Sequence, residues 1–498
     1  MSDVGTITDN RALDITEPLI FEQGAVGRSG VDLPAPPDVA SRLGGLERKD
    51  AIGLPGLSEP QVVRHYTRLS RNNYGVDTGF YPLGSCTMKH NPRMNERLAR
   101  LPGFADLHPL QPAPTIQGAL QVIDTLALWL KTLTGMPAIA MAPAAGAQGE
   151  LCGMMAIRAY LEARGDVRKV VLVPDSAHGT NPATAAACGY AVDNVPDAGD
   201  GRVDRAALEA RLGDDVAAIM LTNPNTCGLF ERDIVEIAAA THASGALFYC
   251  DGANLNAIMG RVRPGDLGID AMHFNLHKTF STPHGGGGPG AGPVALSAEL
   301  AAFAPLPWVV SGKDGLALAE AGEEVARSLG RLRAFHGQFA VFVRALAYMM
   351  SHGGSGLRQV SEDAVLNANY ILAGLADVLP PAFPGPCMHE ALFDDSSLAD
   401  TGVTALDIAK ALIDEGYHPM TIYFPLVVHG AMLIEPTETE SRDTLDAFIA
   451  TMRALIKKAK AGDTAYFKAT PRHAPWRRLD EARAARHPVL RWQEQDGS

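Results

Sequence analysis

The sequence predicts an α/β fold whose large domain contains a mainly parallel sheet. Short apolar, β-branched runs alternate with segments of helical periodicity between residues 138 and 296, a pattern typical of strands joined by crossover helices. Several of these runs end in a polar or charged group, as expected where strand ends form a ligand site. The 498 residues, of which 46% are hydrophobic, suffice for a large core and for more than one domain.

Composition narrows the class of protein. A net charge of −13 without a basic block argues against nucleic acid or an anionic membrane as a partner. No apolar run reaches the length of a membrane span and no signal-like segment opens the chain, so we expect a soluble, cytoplasmic protein. The six cysteines form no CxxC pair, which indicates reduced thiols and predicts neither a disulfide frame nor a metal site.

We predict three segments along the chain. Residues 1–60, rich in proline, glycine and polar residues, form an extended arm that either lies on a neighbouring subunit or is a loose end. Residues 61–335 form the large domain, and residues 336–498 form a smaller C-terminal domain with an irregular tail. The connection at residues 300–360 is predicted to be largely helical.

The first predicted α/β unit contains a turn that suits an anion. Apolar residues recur every three or four positions from Leu120 to Leu133, and Gly135 follows where a helix C-terminus favours glycine. The apolar segment 138–141 then leads through small residues into a second helix from Leu151. Backbone N–H groups and the positive end of the helix dipole would meet there, which suits a phosphate. An ordinary tight turn before a helix is the alternative.

Polar groups follow four further predicted strands. The strands and the groups at their ends are 169–173 with His178, 217–221 with the turn 222–226, 246–250 with Asp251, and 272–276 with Lys278. Because the carboxyl ends of parallel strands meet at one edge of a sheet, we expect these groups to lie close together.

Lys278 is the group on which the functional prediction depends. A lysine at the end of a buried strand is costly unless its amine has a partner or a chemical task. One such task is a Schiff base with a carbonyl, and pyridoxal phosphate is the obvious carbonyl. The run Gly285–Gly288 would let backbone approach a ligand closely. The alternative is a surface lysine at a strand end.

The neighbouring strand ends offer the other groups that this cofactor needs. Asp251 is a candidate anion for the pyridine nitrogen, or a turn-forming residue before a glycine. His178 offers a flat imidazole for the ring, or a capping or core histidine. His277 either contacts the phosphate, handles protons or packs. Three further residues offer hydroxyl or amide groups: Thr222, Asn225 and Thr226. These groups either bind the phenolic oxygen of the cofactor or build an ordinary turn.

Cys86 lies beside two basic residues. Lys89 and His90 would favour a thiolate. A small buried residue is the alternative.

Four motifs resemble one known family. They are LGSCTMK at 83–89, DSAHGTNP at 175–182, YCDGAN at 249–254 and NLHKTF at 275–280. These motifs resemble the P protein of the glycine cleavage system, the aminomethyl-transferring glycine dehydrogenase. The resemblance runs from about residue 60 to residue 470, and the chain length matches subunit 2 of the two-subunit form.

The resemblance implies a fold, a cofactor and residue roles. It implies the type I, aspartate aminotransferase-like fold with covalently bound pyridoxal phosphate. Lys278 becomes the Schiff-base lysine, Asp251 the partner of the pyridine nitrogen and His178 the residue that stacks on the ring. The phosphate cradle includes the turn Ala145, Gly146, Ala147 and Gln148.

The resemblance also implies a reaction and partners. Glycine is decarboxylated as its Schiff base with the cofactor, and the aminomethyl group passes to the lipoyl arm of the H protein. The partner subunit would be subunit 1, in a heterotetramer with two copies of each. Two alternatives stay open: another type I enzyme, such as a cysteine desulfurase or a β-eliminating lyase, and a non-catalytic partner subunit. The latter predicts loss of Lys278 or Asp251, and both are present.

Overall fold

The computed structural model of this chain describes residues 17–31, 33–34, 37–50, 52–285 and 290–493. Residues 79–468 form one compact unit, and residues 1–78 with 469–498 form another. The first 16 residues of the predicted arm and Gly286–Gly288 of the predicted glycine run lie outside the described residues. The predicted domain borders at residues 60 and 335 stay a prediction.

Within the described residues of the unit 79–468, one sheet has seven strands. In chain order they are β1 (Ala138–Ala140), β2 (Val170–Pro174), β3 (Ala191–Val195), β4 (Val216–Thr222), β5 (Leu247–Asp251), β6 (Ala271–His273) and β7 (Val294–Leu296). Their spatial order is β1-β7-β6-β5-β4-β2-β3. Every pair from β6 to β3 is parallel, and β7 is antiparallel to both its neighbours. The predicted mainly parallel sheet is confirmed.

A hairpin replaces part of a predicted helix. Strands β8 (Trp308–Gly312) and β9 (Gly315–Ala319) pair antiparallel, so the prediction of a largely helical stretch at 300–360 is wrong in its first half. The turn is possible because Gly315 adopts a φ of 115°, a conformation that is easy only for glycine. The long helix of this region begins at Phe339.

A smaller antiparallel sheet follows in the chain. Its strands are β10 (Ala391–Phe393), β11 (Thr421–Ile422) and β12 (Met432–Ile434), in the order β10-β12-β11. The register places Ala391 opposite Ile434. This pairing decides which side chains meet beyond the ends of β10 and β12.

The α-helices of the described residues connect and cover these strands. In chain order they are α1 (Glu59–Arg71), α2 (Arg93–Ala99), α3 (Pro102–Ala105), α4 (Gln117–Thr134), α5 (Gly146–Ala163), α6 (Thr180–Ala187), α7 (Arg205–Arg211), α8 (Ile234–Ala243), α9 (Leu276–Thr279), α10 (Phe339–Leu375), α11 (Ala405–Asp414), α12 (Arg442–Lys460), α13 (Thr464–Ala469) and α14 (Glu481–Arg486). Helix α4 ends at Gly135 with φ 70°, as predicted. Within these residues no helix is both long and apolar enough to cross a bilayer.

Both faces of the large sheet are buried. Ile219 and Phe248 belong to one buried apolar cluster, whereas their chain neighbours Met220 and Tyr249 belong to another. Because successive side chains of a strand point to opposite faces, the sheet is covered on both sides. A third cluster covers the small sheet and includes Phe393 and Phe448.

The unit formed by residues 1–78 and 469–498 has its own contacts. The carboxylate of Glu17 binds the guanidinium of Arg68 and lies 2.5 Å from Nδ1 of His65. The hydrogen bond from Arg68 lowers the pKa of Glu17 to about 2. The rings of Phe21 and Trp492 stack with centroids 5.2 Å apart.

Candidate active site

The predicted polar groups lie at the carboxyl edge of the large sheet. Asp251 is the last residue of β5, and Thr222, the last residue of β4, lies opposite it in the register. Lys278 follows β6 on the short helix α9. Asn181, near the start of α6, donates a hydrogen bond to Asp251 over 3.0 Å. Strand exits that are distant in sequence are therefore neighbours in the fold.

Asp251 is a buried carboxylate with several hydrogen bonds. Its side chain accepts from the amide of Asn181 at 3.0 Å and from the backbone N–H of Ala253 at 3.0 Å. Burial alone would raise its pKa, but the imidazole of His273, these two hydrogen bonds and the amine of Lys278 hold the pKa below its ordinary value. The site therefore keeps an anion in a place that excludes water.

Two buried aromatic side chains, His273 and Tyr249, form a chain of polar contacts that ends at Asp251. Nε2 of His273 lies 3.5 Å from Oδ1 of Asp251, and the hydroxyl of Tyr249 lies 2.6 Å from Nδ1 of the same imidazole. Tyr249 is fully buried and His273 is 1% exposed. This arrangement fixes the imidazole and aims one of its nitrogens at the carboxylate.

His178 is exposed and is oriented by its own loop. Its Nδ1 lies 2.8 Å from Oγ1 of Thr180, and that hydroxyl donates to the buried Glu150 over 2.7 Å. The ring of Phe424 meets the imidazole edge to face, with centroids 5.8 Å apart. An exposed imidazole held at its edge keeps a face on which a flat ring can stack.

The start of α5 has the features of an anion site. Its N-cap, Ala145, is extended and supplies no side-chain cap, so the first N–H groups of this 18-residue helix have no capping side chain. Oε1 of Gln148 accepts from the backbone N–H of Ala144 at 2.7 Å and shapes the turn. A Cβ on Gly292 would lie 2.2 Å from the carbonyl oxygen of Ala145, so only glycine allows this close approach.

The amine of Lys278 faces backbone across the site. Nζ donates to the carbonyl oxygen of Ser85 over 2.7 Å. A second lysine, Lys89, is buried nearby. Its Nζ donates to the carbonyl of Thr279 at 3.0 Å and to Glu438 at 2.7 Å. The turn that carries Lys278 is thus held by a second, buried lysine.

His277 is a neutral imidazole beside this lysine. Burial, with the nearby His284 and Lys278, lowers its pKa to about 3. Its Nδ1 accepts from the backbone N–H of Ala291 at 3.3 Å. Its Nε2 then carries the proton and lies 3.4 Å from the side-chain amide of Asn275. It can therefore donate a hydrogen bond, but it contributes no charge at neutral pH.

The side chains of the turn after β4 differ in whether their polar groups already have partners within the protein. Asn225 builds the turn, since its amide oxygen accepts from two backbone N–H groups and its amide nitrogen donates to the carbonyl of Gly201 and to Glu231. The hydroxyl of Thr226 donates to the carbonyl of Ser176. Within the described part of the chain, the buried hydroxyl of Thr222 has no partner.

Cys86 is half-buried beneath the site. Burial raises the pKa of its thiol, and the nearby Lys278 only partly opposes this effect. The structure therefore favours the alternative of a small, protonated, packed residue.

Two family models match parts of the chain. One, described as "Glycine dehydrogenase, C-terminal domain", matches residues 360–476. The other, described as "Aminotransferase class-V", matches residues 152–313 and includes β2 to β7.

Curated relatives extend the similarity to nearly the whole chain. A protein of Caulobacter vibrioides named "Probable glycine dehydrogenase (decarboxylating) subunit 2" is 68% identical, over 98% of this chain and 94% of that protein. The chain belongs to the glycine dehydrogenase (decarboxylating) subunit 2 family. A relative of the same name from Kosmotoga olearia is 50% identical over 95% of this chain and 99% of its own length.

A solved structure shows the fold of this subunit 2 family. A glycine decarboxylase (P-protein) of the glycine cleavage system, in inhibitor-bound form, superposes with a TM-score of 0.68 at 22% identity, covering 86% of this chain and 92% of that one. The comparisons confirm the predicted family, the enzyme class, the type I fold and the cofactor class that the fold and the aminotransferase match imply.

Several groups of the glycine dehydrogenase subunit 2 site were not among the predicted site residues. They are Tyr249, His273, Glu150, Asn181 and Lys89. Each acts through another residue, and neither periodicity nor strand-end position marks such a role. Three of them had a sequence signal, because Lys89, Asn181 and Tyr249 lie in the LGSCTMK, DSAHGTNP and YCDGAN motifs.

Proposed function

We propose that this chain is the pyridoxal phosphate-binding, catalytic subunit 2 of a glycine dehydrogenase (decarboxylating). It would remove CO2 from glycine and pass the aminomethyl group to the lipoyl arm of an H protein. The observation that carries the proposal is the pairing of Lys278 at the exit of β6 with the buried carboxylate Asp251 at the exit of β5, in a chain 68% identical to a named relative.

The residues at the sheet edge fit this cofactor. The start of α5, with Ala145, Gly146, Ala147 and Gln148, would hold the phosphate, because its N–H groups lack a capping side chain. Thr222 offers a buried hydroxyl without a partner in the described residues. An uncapped helix start and an unpaired buried hydroxyl both need a polar ligand.

Each side chain then has a separate task. When bound, the cofactor supplies an electron-accepting ring for decarboxylation. Lys278 attaches it through its amine, and Asp251 holds a proton at the pyridine nitrogen. His178 stacks against the ring, and His277 positions one of its polar substituents. The hydroxyl proton of Thr226 is already donated to Ser176, so Thr226 can serve the cofactor only as an acceptor. The neutral state of His277 lets it donate a hydrogen bond without adding charge.

The proposal extends to partners and location. We assign glycine as the substrate, subunit 1 as the partner subunit and the lipoylated H protein as the acceptor, in a heterotetramer with two copies of each subunit. The name shared by the relatives supports a second subunit. A cytoplasmic location is supported by the six cysteines, all of which are free thiols in the described residues.

Isotope exchange tests the proposed reaction. The chain would be co-expressed with its candidate subunit 1, and incorporation of labelled bicarbonate into glycine would be measured with and without lipoylated H protein. We expect exchange that requires both subunits and is stimulated by H protein. A complete mixture without exchange would overturn the proposed reaction, and desulfurase or β-elimination activity of the chain alone would favour the rival enzymes.

Borohydride trapping tests the proposed attachment site. Reduction of the coloured protein followed by peptide mapping should place the cofactor on Lys278. A reduced adduct on another lysine would contradict the site while leaving the reaction open. A colourless protein that nonetheless supports the activity of subunit 1 would favour the non-catalytic role.

A further inference from the structure

Two buried carboxyls meet just beyond the small sheet. Because Ala391 of β10 pairs with Ile434 of β12, the antiparallel register brings the preceding Glu390 opposite the following Glu435. Both side chains are fully buried. Like charges placed directly opposite each other are destabilising, and in a buried pair they strongly oppose simultaneous ionisation.

The imidazole beside the pair does not neutralise this charge. Nε2 of His389 lies 3.7 Å from Oε2 of Glu390 and 4.0 Å from Oε1 of Glu435, but burial lowers the pKa of His389 to about 3 and keeps it neutral. Burial and the mutual repulsion raise the pKa of Glu390, and burial raises that of Glu435. Burial and the close approach of the two carboxyls therefore oppose a second negative charge in this pair.

The two carboxyls hold a strained loop. Glu390 accepts from the backbone N–H of Ser85, and Glu435 accepts from the backbone N–H of Thr87 at 2.9 Å and from its hydroxyl at 2.6 Å. Ser85 has φ 64° and Thr87 has φ 52°. A positive φ is costly for these residues, above all for a β-branched threonine, and persists only where other contacts enforce it.

This loop is the surface that Lys278 touches. Nζ of Lys278 donates to the carbonyl of Ser85, the residue whose N–H is held by Glu390. The backbone of this loop packs directly against β12, since a Cβ on Gly84 would lie only 2.4 Å from the side chain of Leu433. The loop therefore cannot move towards β12. The amine of Lys278 also acts electrostatically on both carboxyls, and that of Lys89 acts on Glu435.

We propose that Glu390 and Glu435 are positioning residues of the reaction. They fix residues 83–87 in the conformation that presents the Ser85 carbonyl to the free amine of Lys278, and they keep one negative charge beside that amine. The pair holds the amine in place whenever it is not bonded to cofactor. This inference rests on the proposed role of Lys278.

The test separates the charge of the pair from its shape. Glu390→Gln mimics a protonated partner and keeps one negative charge, whereas the double variant E390Q/E435Q keeps the shape and removes the charge. Apo protein of each would be mixed with pyridoxal phosphate, and the rate of colour formation would be measured against pH. Only a neutral amine attacks the aldehyde, and a negative charge nearby favours the ammonium form.

We expect the single variant to keep the wild-type pH midpoint of this rate. The double variant should move the midpoint down by about one pH unit or more, because at an effective dielectric constant of about 20 a unit charge shifts a pKa by about one unit even from about 12 Å away. Glu390→Ala, which also releases Ser85, should slow reconstitution at least tenfold at every pH, and Glu390→Gln should restore the rate. Asp407→Asn, an equally buried carboxyl on α11 bound to Thr404, is the matched control and should leave the midpoint unchanged.

Three outcomes would overturn this inference. The first is an unshifted midpoint in a folded double variant whose trapped cofactor maps to Lys278. The second is a Glu390→Ala variant that loses thermal stability but reconstitutes at the wild-type rate. The third is a stoichiometric divalent metal in wild-type protein that Glu390→Gln removes, which would make the cluster a cation site. If the trapped adduct maps elsewhere in wild type, the proposed function fails before this test applies.

Discussion

Two buried residues of this site, Asp251 and His277, differ in whether they carry a charge. Asp251 is buried and remains ionised because hydrogen bonds and nearby basic groups outweigh desolvation. His277 is buried and neutral because burial and the nearby His284 and Lys278 oppose its protonation. The sheet edge therefore offers one fixed anion and one neutral donor, the combination suited to holding a proton on one ring atom while hydrogen-bonding another substituent.

Asp251→Asn tests the fixed anion. The amide keeps the shape and can still accept from Ala253, so the variant should fold and bind cofactor. It cannot hold a proton at the pyridine nitrogen, and we expect bicarbonate–glycine exchange to fall about 100-fold or more. Asp407→Asn, in the same assay of the two-subunit enzyme, should keep near-normal exchange. Exchange within a few-fold of wild type in Asp251→Asn would rule out the assigned role.

His277→Asn tests the buried neutral imidazole through the pH dependence of stability. The pKa of His277 falls from its ordinary 6.5 to about 3 on folding, so in acid the unfolded chain binds a proton that the folded chain refuses. Stability is then complete above about pH 6.5 and declines towards pH 3, by about 1.4 kcal/mol per pH unit.

Removal of the imidazole should flatten this decline. Between pH 6 and pH 4 the free energy of unfolding of His277→Asn should fall less steeply than that of wild type, by up to about 1.4 kcal/mol per pH unit. The measurement is chemical denaturation at a series of pH values, with the exposed His429→Asn as control. Parallel curves for His277→Asn and wild type would show that His277 is charged in the folded protein.

The sequence predicted the residues at strand exits better than the residues behind them. Lys278 and Asp251 each follow an apolar run, and the position of such a run is visible in the sequence. The pairing of Glu390 with Glu435 depends on the register of β10 against β12, which no local pattern encodes. The contact of His273 with Asp251 likewise requires β5 and β6 to be neighbours.

At the scale of elements, the position of the start of α5, where we propose that the phosphate binds, is set by how closely this helix packs on the sheet. A Cβ on Gly149 would lie 2.7 Å from both the carbonyl oxygen of Gly292 and Cβ of His273, and one on Gly153 would lie 2.7 Å from the ring of Tyr249. Glycines at these positions let the helix approach β5, β6 and the residues before β7 more closely than any side chain allows. The same approach brings the start of α5 to the site.

Gly149→Ala tests this packing. The methyl group meets backbone, which cannot move aside locally, so the helix must shift. We expect a loss of about 1–3 kcal/mol in the free energy of unfolding, together with weaker binding of pyridoxal phosphate. Gly118→Ala in α4 is the matched control, because no atom lies within 4 Å of its added methyl, and it should stabilise by about 0.5–1 kcal/mol. Equal effects of the two changes would contradict the close-packing account.

Elements whose apolar residues follow one clear helical or strand periodicity were predicted well. Elements whose apolar pattern is compatible with both, or is interrupted by polar residues, were not. The apolar stripe of α4 and its terminal glycine gave a helix that the structure confirms. The β8–β9 hairpin was missed, because its apolar residues lie in a stretch also compatible with helix and its pairing depends on a turn of two residues, Lys313 and Asp314. The edge strand β3 was not predicted, because polar residues interrupt its apolar pattern.

At the scale of the whole molecule, the site raises the question of what binds the carboxylate of glycine. A carboxylate in a closed site requires a cationic or hydrogen-bonding partner. Of the two lysines described at the site, Lys278 is assigned to the cofactor and Lys89 is buried against Glu438. Neither is free for the substrate, which favours a contribution from the second subunit that the name of the relatives implies.

The final prediction is therefore that this chain binds cofactor alone but catalyses only as part of a pair. Purified by itself, it should take up one equivalent of pyridoxal phosphate, retained on dialysis, and show no bicarbonate–glycine exchange above background. Addition of subunit 1 should restore exchange for wild type and for the surface variant Lys457→Ala, but not for Lys278→Ala, because attachment of the cofactor cannot be supplied in trans. Exchange by the isolated chain at the rate of the complete enzyme would show that all substrate-binding groups lie within it, and the carboxylate partner would then have to be sought among its own side chains.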